Sequence, residues 1–179
     1  MKAAWRFGTL VLTLMLRSGV LLWQTEDSKS LAAFKNLSSL VGEWKGMQNS
    51  QEITLTYRLT ADGSVLMEEF RPAKGAAMMT MFSVDGDHLI ATHYCSAGNQ
   101  PQMTTETIVE PQSGTFVFSL VRVTGMATPE DWHNTGLEVL LKDKDHFTQK
   151  WTACNKLFAC ARFAGYEDRR IARRNLGNA

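Results

Sequence analysis

Between residues 28 and 40, apolar side chains recur every third position. Leu31, Phe34, Leu37 and Leu40 form one stripe, which predicts a short helix packed on one side. Ser28 or Ser30 can cap its start by accepting a backbone N–H, and Gly42 ends it. Beyond that point the period changes from three to two. In 51–60, Ile53, Leu55, Tyr57 and Leu59 alternate with Thr54, Thr56, Arg58 and Thr60, the signature of a half-buried strand. Asp62-Gly63 predicts a tight turn, since Gly accepts positive φ, and 64–70 returns as the partner strand. A Met-rich strand follows over 78–84, then a second turn at Asp85-Gly86-Asp87 and a strand over 88–95. Further strands are expected over 102–109, 115–123, 136–141, 146–152 and 157–163. With 41–47 the chain carries about ten strands, closely spaced. No helical stretch lies between them, which excludes parallel βαβ units. The expected fold is all-β: an up-and-down antiparallel β-barrel of about ten strands behind a short N-terminal helix. A β-sandwich stays open as the alternative. Residues 124–135 (TGMATPEDWHNT) form the longest irregular piece, long enough to act as a lid.

The N-terminus follows a different pattern. Two positive charges precede FGTLVLTLML, a ten-residue apolar run, in the order of a secretory signal. Carrying the run further would bury Arg17, at a cost of about 2.5–3.5 kcal/mol in a membrane centre. Residues 1–24 are therefore expected to be a signal-peptide-like leader, 25–166 a barrel domain and 167–179 a basic tail. The expected location is outside the cytoplasm, periplasmic or extracellular, with a single N-terminal membrane anchor as the alternative. Membrane contact is expected through the leader alone.

Charge sharpens this division. The 179 residues carry 19 Lys and Arg against 18 Asp and Glu, yet every acid lies at or after Glu26. The body of the chain is mildly acidic and the last thirteen residues carry four Arg. An acidic body offers little attraction for phosphates, so no nucleic-acid partner is expected. Cys95, Cys154 and Cys160 make an odd number, and the favoured reading is small buried side chains without a bridge; Cys154 with Cys160 is the nearest pair if one forms. No cysteine or histidine spacing suggests a metal site, and His88 and His93 alternate onto opposite faces. Motifs for a serine nucleophile, a phosphate loop or a dinucleotide cofactor are absent.

Two stretches resemble known proteins. LVGEWKG, at 40–46, resembles the G-x-W first strand of the calycin group, which includes lipocalins, fatty-acid-binding proteins and nitrobindin-like barrels. That resemblance implies that Trp44 plugs the closed end of a barrel beneath the helix. VDGDHLIATHYCSAGNQPQM, at 84–103, and DHFTQKWT, at 145–152, look similar to segments of uncharacterised bacterial lipocalin-like, nitrobindin-related proteins, several of them exported. The nitrobindin-like branch binds haem through a His near the C-terminus. Here the last histidine is His146, so that ligation is not expected and no cofactor is assigned.

Candidate site residues come from strand parity and composition. His93-Tyr94-Cys95 followed by Asn99-Gln100 is the densest polar cluster. Leu89, Ala91 and His93 share a face, which points His93 inward, either to hold a ligand or to complete a structural network. Phe147, Gln149 and Trp151 share another face, placing an amide between two aromatics. The nine methionines suit an adaptable apolar pocket or plain core, with Met81 as the candidate lining residue. His133 stands beside Trp132 in the long connection. The expected ligand-contacting set is thus His93, Tyr94, Asn99, Gln100, Met81, Gln149, Trp151 and His133, with no catalytic residue assigned. The expected role is a barrel binding a small hydrophobic or amphipathic ligand. A ligand-free structural or interaction barrel, and an enzyme using His93 as acid or base, are the alternatives.

Overall fold

The structure is a computed structural model that describes residues 28–108 and 110–154, and the backbone of 161–170. The leader and the segment 155–160, with the start of the expected last strand, lie outside the described residues. Helix α1, Lys29–Leu37, runs into a single 3-10 turn, Ser38–Leu40. Ser28 caps it, accepting from the Leu31 N–H at 3.2 Å. Ser30 is not the cap. It is buried and donates to the Gly86 carbonyl at 2.6 Å, tying the helix to a hairpin turn. The buried face is Ser30, Ala33, Phe34 and Leu37, a stripe with helical spacing, and Leu31 lies only half-buried beside it.

The remainder is all-β, up-and-down and antiparallel. The strands are β1 Gly42–Gln48, β2 Gln51–Thr60, β3 Val65–Arg71, β4 Met78–Asp85, β5 His88–Tyr94, β6 Gln100–Thr105, β7 Thr115–Thr124, β8 His133–Leu141, β9 His146–Cys154 and β10 Ala161–Arg170. Strands β1 to β9 form one sheet that curls through 274°. The β10 backbone pairs with β9 through a register shift and with β1 over three residue pairs, Trp44 with Arg170 to Gly46 with Asp168. β10 runs on to Arg170, into the segment expected as tail.

Two-residue periodicity drives this arrangement, because β1 to β9 bury largely alternate side chains in the concave face. The tight turns at Gly63 and Gly86 both use positive φ, 81° and 55°. β8 departs from strict alternation. A register shift between Asn134 and Gly136 lets Asn134 and Leu137, three residues apart, both lie buried. The parity in β2 fails at its end, where Leu59 is exposed as the strand runs past the core.

The helix covers one end of the curled sheet. Beneath it, Trp44 is buried, donates its indole N–H to the Leu40 carbonyl at 2.6 Å and meets Phe147 edge-on at 4.7 Å. Phe82 and Phe118 pack 5.6 Å apart, and Tyr57 stands 5.8 Å from Phe147. Trp44 thus lies buried against the end of the helical segment, at the covered end of the curled sheet. Cys154 is disulfide-bonded and Cys95 is a free thiol, which corrects the expectation of no bridge; Cys160 lies outside the described residues. Among the described residues, no helix is long and apolar enough to cross a membrane.

Candidate functional site

At the end away from the helix the sheet encloses a cavity of about 280 Å³. Its walls come from six strands and two connections. Phe70 at the end of β3, Met78 at the start of β4 and Trp151 on β9 supply apolar surface, with Trp132 from the β7–β8 connection. Polar groups enter at defined points: Glu68, His93 and Asn134 from the strands, Gln48 from the end of β1 and Asn49 from the β1–β2 turn.

Glu68 is the least expected of these. Parity with Leu66 and Phe70 points it inward, whereas its neighbour Glu69 points out to Arg58 and Arg71. Glu68 is 1% exposed, and no cationic side chain among the described residues pairs with it. Its two oxygens differ. Oε2 accepts from the Tyr57 hydroxyl at 2.5 Å and from the Gln149 amide, which also donates to the Tyr57 oxygen at 2.6 Å. Oε1 has Thr80 Oγ1 as its partner, at 3.4 Å. Burial raises the Glu68 carboxyl above its ordinary value, and the bonds from Tyr57, Gln149 and Thr80 offset this only in part.

Thr80 connects this carboxyl to His93. Its hydroxyl lies 3.0 Å from His93 Nδ1. His93 is 3% exposed, and burial lowers its pKa to about 4, so the ring is neutral at pH 7. Its Nε2 makes no hydrogen bond to a described residue and the ring borders the cavity. The ring also packs on Trp151, with centroids 4.8 Å apart. The Trp151 N–H points to Gln149 Oε1 at 3.4 Å. Glu68, Thr80, His93, Trp151 and Gln149 therefore form a circuit around the cavity floor.

Of the residues expected at a site, the structure brings His93, Gln149 and Trp151 together. Asn99 is buried near the rim, where it donates to the Trp132 carbonyl at 2.7 Å, and its own Oδ1 has no partner among the described residues. Close packing reinforces this tie. Gly125 has φ +75°, and a Cβ there would meet the Gly98 carbonyl at 2.6 Å. Asp131 braces the same connection internally by accepting from the backbone N–H groups of Ala127 and Thr128. The expected lid is thus a self-bonded loop clamped to the β5–β6 turn.

The other expected residues lie elsewhere. Tyr94 is exposed on the outer face, since the residue after an inward His must point out. Met81 lies outside the cavity lining for the same reason, between inward Thr80 and Phe82; Met78 takes the lining role. Gln100 bonds Gly98 and Thr124 at the strand connection, and His133 bonds the Asp131 carbonyl. Glu68, Trp132 and Asn134 were not expected. Parity could have found Glu68; the bulge hid Asn134. Among the described residues, no group of three or more His, Cys, Asp or Glu could hold a metal ion.

No family model matches this chain, and no curated protein matches it. Solved structures resemble it, among them two that cover similar shares of this chain. Rv2717c from M. tuberculosis is 12% identical, with 78% of this chain and 98% of that chain covered at a TM-score of 0.54. A protein of unknown function from the DUF3598 family of Nostoc punctiforme is 14% identical, with 75% of this chain and 48% of that one covered at 0.51. At such identities the likeness is one of fold, a curled antiparallel sheet of calycin-like character.

Proposed function

We propose that the protein is an exported, calycin-like ten-stranded barrel that binds a small, largely apolar ligand with one polar end. The observation that carries this reading is a cavity of about 280 Å³ with aromatic walls and a buried polar floor. That volume is at the small end of ligand sites, and the mix of apolar lining with few polar groups is their usual composition. Trp132, Trp151, Phe70 and Met78 supply contact area, while His93 and Asn134 orient the polar end. The β10–β1 pairing supports closure of the barrel, and the circuit below the cavity keeps its floor rigid. Export is supported by the apolar leader and by a disulfide at Cys154, since such bonds persist in oxidising compartments.

Native mass spectrometry of the protein purified from its own host tests this reading. A co-purifying small molecule is expected, and it should be lost when Asn134→Phe fills the cavity. A bare chain mass, together with no change in tryptophan fluorescence across a panel of fragment-sized aromatic compounds, would sink it.

A further inference from the structure

We propose that Glu68, Thr80 and His93 form a proton relay that sets the hydrogen-bonding sense of the cavity, so that its preferred occupant is an uncharged aromatic compound bearing a hydrogen-bond-accepting oxygen. The ligand class rests on the binding reading above; the relay stands without it.

The geometry allows two arrangements. Glu68 Oε2 already accepts two donors, from Tyr57 and Gln149. A proton on this carboxyl therefore sits on Oε1, the oxygen that faces Thr80. The Thr80 hydroxyl has one hydrogen and stands within reach of both Glu68 Oε1 and His93 Nδ1. When Glu68 is protonated, it donates to Thr80, and Thr80 donates to His93 Nδ1. The imidazole proton then resides on Nε2, and the cavity meets an N–H donor. When Glu68 is ionised, Thr80 turns to donate to Oε1. His93 Nδ1–H donates to Thr80, and Nε2 presents a bare lone pair. One proton leaves Glu68 for solvent, and the imidazole proton moves from one ring nitrogen to the other; no bond between heavy atoms changes.

The surroundings favour the first arrangement. The titratable side chains around the relay are Tyr57 on β2, Glu68 on β3 and His93 on β5. Among the described side chains, the strands packed against them bring uncharged groups, including Trp44, Asn134 and Gln149. An ionised Glu68 would be a buried charge without a counter-charge among the described residues, which is costly. Its raised carboxyl pKa agrees with this. The donor Nε2–H beside Trp151 then selects a flat apolar ligand with a carbonyl or ether oxygen at its edge.

Two-bond nitrogen–proton correlation spectra of the full chain labelled with ¹⁵N-histidine read the tautomer directly. His93 is expected as the Nε2–H form at pH 5, moving to Nδ1–H as Glu68 ionises on raising the pH. Glu68→Gln, whose amide would donate permanently to Thr80, should hold the Nε2–H form throughout. Thr80→Val should remove the pH response while leaving the fold intact by circular dichroism. An Nδ1–H form at pH 5, or the same pH response in Glu68→Gln, overturns the relay. Acetophenone and indole then serve as acceptor and donor probes by fluorescence titration. Acetophenone should bind several-fold tighter than indole at pH 5, and the ratio should fall as Glu68 ionises. Indole preferred at pH 5 overturns the ligand class. Neither probe binding, with the tautomer switch intact, overturns the ligand class and the binding reading together but not the relay.

Discussion

The two ends of the curled sheet are built from the same alternation and reach opposite results. Under the helix, inward positions carry Trp44, Phe82, Phe118 and Phe147, and the interior is filled by ring packing. At the other end the same inward positions carry Glu68, Thr80, His93 and Gln149, and the interior is polar, bonded and partly empty. Alternation decides which residues point in. The side chains themselves decide whether that space becomes a core or a site. Protein interiors are normally close-packed, so a cavity next to satisfied polar groups is the exception that a binding role would explain.

Truncation at the filled end breaks the comparison most strongly. Trp44→Ala should cost about 3–5 kcal/mol of unfolding free energy, the range for large aromatic truncations in a core. Urea denaturation measures it. A loss below about 1 kcal/mol would mean that the helix end is not the stabilising core.

The polar end should instead reveal itself through pH. His93 is held at about 4 against an ordinary 6.5, so the unfolded chain binds a proton between these values that the native chain does not. Its contribution is complete above pH 6.5 and is lost as pH falls toward 4, by about 3 kcal/mol over the whole span. Glu68 has the opposite sign. Its raised carboxyl keeps a proton that the unfolded chain releases, so stability falls as pH rises above the ordinary 4.5. Denaturation of Glu68→Gln against pH isolates the histidine slope. A flat profile between pH 4.5 and 6.5 in that variant would show that His93 is not the buried neutral group described above.

A smaller effect is expected at the rim. Asn99→Ala removes the bond to the Trp132 carbonyl and should cost about 1 kcal/mol. Faster amide exchange should follow in residues 125–132, with little change beneath the helix. Uniformly faster exchange would contradict a local clamp.

Much of the fold is legible in the sequence. Strand period, the turns at Gly63 and Gly86 and the helix cap all follow from local chemistry that tertiary contacts do not override. His93, Gln149 and Trp151 were legible by parity alone. Tyr94 neighbours His93 along the chain, which in a strand places it on the other face. Glu68 and Glu69 are adjacent on one strand and face opposite ways, which rules out a catalytic pair on one face but leaves Glu68 with the inward parity of Leu66 and Phe70. Trp132 and Asn134 depend on a connection and a bulge, and neither has a period to read. The cysteine bridge depends on distances between residues, which a count of cysteines does not contain.

The fit of Gly125 against the Gly98 carbonyl has a consequence for traffic. With no room for even a methyl group at that seam, the β7–β8 connection and the β5–β6 turn behave as one fixed wall of the cavity mouth. Exchange of a bound molecule with solvent would then depend on the rest of the rim, where Gln48 and Asn49 line the cavity. Exchange rate and affinity would then be set by different segments of the chain, and each could change without the other.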